Sequence, residues 1–270
     1  MAPSSSRTND TLLSLDPGPS DILYRIQRVR GEHSRVLYVT VANPAVIPED
    51  KRTHGRSAIA ELSKLDKWSD DWTTLIVHKD NDGIWCEVDK FRPHALPKDV
   101  LDDYPAYDIS HFETRHSFNH RVSEVVHGGR AYVLKIARFP HEVPALTREL
   151  KAYHRLAGSS LAPRLIGYAF EESPDRIVGF LVESIHGRVA GVSDFESCRE
   201  ALHQLHQHLI HGDLCRYNIL ITSEGPKFID FENSILSSTK DWSRRRMDAE
   251  MQGLAGKLAD TSVDGRPWNG

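Results

Sequence analysis

Two short apolar segments near the C-terminal end, residues 218–222 and 227–231, constrain this chain more than any other feature. Between them stand Ser223, Glu224, Gly225 and Pro226. That composition predicts a β-hairpin. A hairpin brings the residues at its rims to one edge. Asp213 precedes the first strand, Asn218 opens it and Asp230 closes the second. Two carboxylates and a carboxamide are thereby expected side by side. Phosphoryl transfer from a nucleotide needs such a set. One carboxylate orients the attacking hydroxyl, while a second carboxylate and an amide oxygen hold magnesium, a hard cation that takes oxygen ligands.

The full spelling is more specific. His211-Gly212-Asp213-Leu214-Cys215-Arg216-Tyr217-Asn218-Ile219-Leu220, followed by Ile229-Asp230-Phe231-Glu232, resembles the catalytic and metal-binding loops of the protein kinase-like superfamily. The H-G-D and D-F-E forms look more like its aminoglycoside phosphotransferase, choline kinase and small atypical kinase branches than typical Ser/Thr kinases. The resemblance runs from Tyr107 to about Leu258. It implies an α+β, two-lobed protein kinase-like fold that uses ATP and Mg, with Asp213, Asn218 and Asp230 catalytic and Asn218 and Asp230 on the metal. Val133-Leu134-Lys135-Ile136 resembles the strand whose lysine reaches the nucleotide phosphates. Glu149, fourteen residues on, resembles the helix glutamate that ion-pairs this lysine. The adenine ring would meet backbone groups near Glu183. The acceptor would be a hydroxyl on a protein or a small molecule.

Three departures qualify the resemblance. The positions that should form a glycine-rich phosphate loop read Thr114-Arg115-His116-Ser117-Phe118-Asn119-His120 and contain no glycine. Without glycine, close backbone approach to the phosphates is hindered, and Ser117 and Asn119 are the candidate substitutes. Cys215 stands where Ser/Thr kinases carry a lysine, with Arg216 beside it as an alternative cation. After Asp230 only 40 residues follow, too few for a full C-terminal lobe. One helix over 241–258 is predicted there from Met247, Met251, Leu254 and Leu258. These departures support an alternative reading: a catalytically degenerate pseudokinase that binds nucleotide or acts as a scaffold.

The rest of the chain is less informative. Residues 1–20 are rich in Ser, Pro, Asp and Thr, and a disordered tail is expected. Residues 21–105 read as a β-rich accessory region, with strands over 22–29, 36–41, 73–78 and 84–88, a helix over 57–65, and a proline-containing linker over 93–105. This N-terminal extension is a candidate protein-partner surface beside a purely structural reading. Residues 106–260 would be the kinase-like domain and 261–270 a polar tail. The net charge of −4 provides no basic field for nucleic acid. Cys86, Cys198 and Cys215 have no metal-ligand or disulfide spacing. No apolar run suits a membrane span or a signal peptide, so a cytoplasmic or nuclear location is expected. His203, His206, His208 and His211 crowd one stretch; His211 reads as a structural loop residue and the others as exposed helix positions.

Overall fold

The computed structural model describes residues 8–262. They divide into two compact units: residues 8–94 with 138–140, and residues 95–137 with 141–262.

The first unit is a five-stranded sheet with one helix: β1 (Thr8–Pro17), β2 (Ile22–Arg30), β3 (His33–Val41), α1 (Gly55–Leu62), β4 (Thr74–Lys79) and β5 (Ile84–Val88). The strands lie in sequence order. All neighbours are antiparallel except β3 and β4, which run parallel. A parallel pair needs a crossover, and α1 lies in that connection. Alternate residues of the strands (Ile22, Tyr24 and Ile26; Leu37, Val39 and Val41; Leu75 and Val77) pack with Ala58, Leu62, Trp68 and Trp72. Residues 8–17 correct the expectation of a disordered tail. Strand β1 pairs with β2 from Thr8↔Arg30 to Pro17↔Ile22, and Leu12 and Leu15 pack against the core. The Ser/Asp/Thr composition hid a strand whose few apolar groups are enough, because β2 supplies the ladder. Residues 1–7 of that expected tail, and 263–270 of the C-terminal one, lie outside the described residues.

The second unit opens with β6 (Ala106–Asp108), β7 (Glu113–Ser117), β8 (Val122–His127) and β9 (Arg130–Ile136). Helix α2 (Val143–Arg155), β10 (Leu165–Phe170) and β11 (Ile177–Glu183) follow. The six strands form one sheet in the order β6-β10-β11-β9-β8-β7. The chain then forms β12 (Arg188–Val189), α3 (Phe195–Leu205), β13 (Leu209–Ile210), β14 (Ile219–Thr222), β15 (Gly225–Phe228), β16 (Ile235–Leu236) and α4 (Arg244–Ala259). A six-stranded sheet with one helix, followed by a helical lobe of α3 and α4 with two small sheets, is a two-lobed α+β kinase-like fold with a short C-terminal lobe. One core joins both lobes. Leu146, Leu150 and Tyr153 of α2 share it with Phe180, Phe231, Leu202, Leu205, Leu254 and Leu258.

The presumed linker is partly core. Leu96 and Val100 are buried with the second unit, and the Leu96 N–H donates to the Ile177 carbonyl at 2.7 Å. The catalytic hairpin is also shifted. Thr222 pairs with Gly225, so the loop is Ser223-Glu224 alone and Gly225-Pro226 begins the second strand. That strand ends at Phe228. Asp230 therefore lies beyond it, at φ +65°, rather than closing it.

Candidate active site

The hairpin sets the relative positions of the catalytic-loop residues. Ile219 pairs with Phe228, and the Ile229 N–H donates to the Asn218 carbonyl at 3.0 Å. Asn218 thus lies beside the residue preceding Asp230. Its Nδ2 donates to the Asp213 carbonyl at 2.9 Å, which leaves Oδ1 as the acceptor end of the carboxamide.

The loop before Asn218 is anchored from below. The His211 ring is fully buried, with Nε2 donating to the Ile229 carbonyl at 3.0 Å and Nδ1 facing the Asp213 N–H at 3.4 Å. One donating and one accepting nitrogen describe a neutral imidazole, and burial holds its pKa below the ordinary value. Glu250 of α4 accepts from the Gly212 N–H at 2.8 Å and the His211 N–H at 3.1 Å, and meets His206 Nε2 at 2.8 Å. Burial alone would raise the Glu250 carboxyl; the His206 contact and the two amides outweigh it and hold the group below its usual range. Gly212 adopts φ +82°, and a Cβ there would fall 2.1 Å from the Asn233 carbonyl oxygen; only glycine fits. Asp213 emerges exposed from this fixed turn, where an acceptor hydroxyl can reach it. His206 is buried and paired with Glu250, which corrects its expected placement on an exposed helix face. Sequence reasoning missed Glu250, because its partners lie about 40 residues away and are mostly backbone amides.

Lys135 anchors the second half of the site. Its Nζ lies 2.5 Å from Glu149 Oε2, 2.7 Å from Asp230 Oδ1 and 2.9 Å from Glu232 Oε1. The expected Lys135–Glu149 pair is therefore present, and Glu232 joins it unforeseen. Burial would lower the lysine pKa, but the three carboxylates more than reverse that and raise it. Burial pushes the Glu149 carboxyl up to about 7, against the pull of Lys135. Asp230 is also pushed up by burial, yet Lys135 draws it below the ordinary carboxylate value overall. Glu149 Oε1 accepts from the Phe231 N–H at 3.3 Å, and the Phe231 ring meets Tyr153 of α2 edge-on at 5.4 Å. Helix α2 and the Asp230 segment are thus fixed to one another. Carboxylate oxygens of Glu149, Asp230 and Glu232 lie within 4.8 Å of each other, but the Lys135 ammonium already bridges them.

The remaining candidates are less engaged. Ser117 is exposed, with its hydroxyl 3.3 Å from that of Ser123. Asn119 Oδ1 accepts from the N–H groups of Arg121 and Val122 at 2.8 and 2.9 Å, so this oxygen shapes the β7–β8 turn. The Glu183 N–H donates to the Arg164 carbonyl at 2.9 Å, and its carboxylate faces the Arg164 guanidinium at 3.4 Å. The Glu183 amide is therefore already committed.

No curated protein matches the chain. Two family models do: a phosphotransferase enzyme family over residues 113–208 and the RIO domain over residues 193–249. The first covers the large sheet except β6, together with α2 and α3; the second covers α3, the Asp213 loop, the Asp230 segment and the start of α4. Both families are branches of the protein kinase-like superfamily, and it is this superfamily that residues 113–249 resemble in sequence and in fold.

Proposed function

We propose that the protein is an ATP- and magnesium-dependent phosphotransferase that moves the γ-phosphoryl group to a hydroxyl of a protein or small molecule. The observation that carries this reading is the convergence on Lys135. A buried ammonium is held by Glu149 from the helix and touches Asp230, while Asp213 stands exposed on a loop fixed by Glu250 and His211. Lys135 leaves Asp230 for the phosphates, which are better partners for an ammonium held ready by Glu149. Asp230 and Asn218 Oδ1 would hold magnesium, which would supply positive charge against the charge that develops on the transferring phosphoryl group. Asp213 orients the acceptor hydroxyl and takes its proton. The acceptor oxygen bonds to the γ-phosphorus, the bond to the β-phosphate oxygen breaks and ADP leaves.

Asp213→Ala tests the assignment. With ATP, magnesium and a hydroxyl acceptor, turnover falls by about 10²–10⁴-fold, while ATP affinity measured by titration stays near wild type. Loss of affinity in parallel with turnover would place Asp213 in binding instead. The second reading, a nucleotide-binding pseudokinase, is favoured by the glycine-free β7–β8 turn. Wild-type binding of Mg·ATP without ADP release, across protein and small-alcohol acceptors, would select it.

A further inference from the structure

Four amides of the β7–β8 turn are already engaged within it, so they cannot cradle phosphates in the way those of a glycine loop do. The N–H groups of Phe118 and Asn119 donate to the Val122 carbonyl at 2.9 and 3.3 Å. Those of Arg121 and Val122 donate to Asn119 Oδ1 at 2.8 and 2.9 Å. Phosphate charge at this end of the site must then be met by side chains. Arg121, at the foot of the turn, is placed for this. Its Nη2 lies 2.8 Å from Glu232 Oε1, the same oxygen that Lys135 Nζ meets at 2.9 Å. Arg121 Nη1 reaches Glu232 Oε2 at 3.2 Å, and its Nε donates to the Ile136 carbonyl at 3.3 Å. The guanidinium also faces Glu142 at 3.7 Å. Two cations thus converge on one anionic oxygen, an arrangement that a phosphate oxygen can share equally well. Glu232 is itself held by its backbone, through the Arg148 Nε bond to its carbonyl at 2.8 Å. The backbone of Glu232 is thus held independently of its carboxylate.

We propose that Arg121 is a second phosphate-binding cation, replacing the missing loop amides, and that the Glu232 carboxylate stands in for a phosphate oxygen between Arg121 and Lys135 until nucleotide arrives. This rests on the phosphotransferase reading above. An arginine fork suits phosphate geometrically, and charge-assisted bonds are stronger than neutral amide bonds.

The test is a calorimetric titration of the full chain with AMP, ADP and ATP, each with magnesium and with EDTA. In Arg121→Ala, affinity for Mg·ATP falls about tenfold, the loss expected for one charge-assisted phosphate contact, and AMP affinity changes little. In Glu232→Gln, which keeps the Arg121 charge and removes its anionic competitor, ATP in EDTA binds several-fold tighter than in wild type. Wild-type ATP affinity in Arg121→Ala, or an equal loss for AMP and ATP, overturns the inference and leaves the phosphotransferase reading intact. Weaker or unchanged ATP binding by Glu232→Gln in EDTA also overturns it, and this arm decides the matter if Arg121→Ala does not fold. Absence of any nucleotide binding by wild type overturns the phosphotransferase reading and this inference together.

Discussion

Two buried ion pairs, one in each unit, show how differently the same chemistry can be used. Arg28 and Asp10 are both nearly buried, with side-chain exposures of 5% and 7%. Asp10 Oδ1 accepts from Arg28 Nε at 2.8 Å; Oδ2 accepts from Arg28 Nη2 at 3.0 Å and Trp68 Nε1 at 2.9 Å. Arg28 Nη1 donates to the Trp68 carbonyl, and the guanidinium lies over the Trp68 and Trp72 rings at 4.8 and 5.0 Å. One cation meets one carboxylate, and aromatic surface encloses them. Lys135 and Glu149 are as deeply buried, at 10% and 2%, yet one ammonium faces Glu149, Asp230 and Glu232. Arg121 offsets part of the excess negative charge and leaves the cluster short of cations. A matched pair is a structural clasp. An unmatched cluster costs folding free energy, and such clusters concentrate at functional sites.

Asp10→Ala probes the matched side of the contrast and has the largest effect on stability. It leaves Arg28 charged and unpaired in the core, and denaturant unfolding should show a loss of about 3–5 kcal/mol. Mg·ATP affinity of the folded fraction should not change. A loss of nucleotide binding in the folded protein would mean that the first unit contributes to the site.

The unmatched cluster responds in the opposite direction. Because burial lifts Glu149 from 4.5 to about 7, the native state holds a proton there that the unfolded chain has released. Stability from this group is full below pH 4.5 and is lost as pH rises to about 7. Glu149→Gln should therefore flatten the decline in stability over that window, read from denaturant curves at several pH values. The difference between the wild-type and Glu149→Gln curves isolates this group, because His211 and His154, both held below their ordinary value by burial, contribute in the opposite sense; no difference in slope over this window would remove Glu149 as a source. The smallest effect is expected from Glu250→Gln. It weakens the anchoring of the His211–Gly212 amides, so turnover should fall by about tenfold, with ATP affinity unchanged. An undiminished rate would show that α4 does not position the Asp213 loop.

The legible and the hidden parts of the site differ in sequence distance. Asp213, Asn218 and Asp230 stand at fixed short spacings around one hairpin, so local pattern reveals their neighbourhood. Lys135 and Glu149 are legible only through their resemblance to the strand lysine and helix glutamate of the kinase-like superfamily. Glu232 was read only as part of a motif spelling, because its partners Arg121 and Lys135 are distant in sequence and none of the three forms a periodic pattern. Glu250 was invisible for a similar reason: its partners are His206 and backbone amides. The β1 strand was hidden by composition, since Thr, Asn, Asp and Ser suggest a tail unless a neighbouring strand completes the ladder. Two amides of the β7–β8 turn are engaged by Asn119 Oδ1 and two by the Val122 carbonyl, and no reading of residue types alone counts such bonds.

In the proposed function, Asp230 holds magnesium for a nucleotide whose phosphates take over Lys135. The most direct test is calorimetric titration of ATP, with and without magnesium, into wild type and Asp230→Ala. Wild type should bind Mg·ATP tighter than ATP in EDTA, and Asp230→Ala should abolish the difference. Equal magnesium dependence in the two proteins would contradict the account.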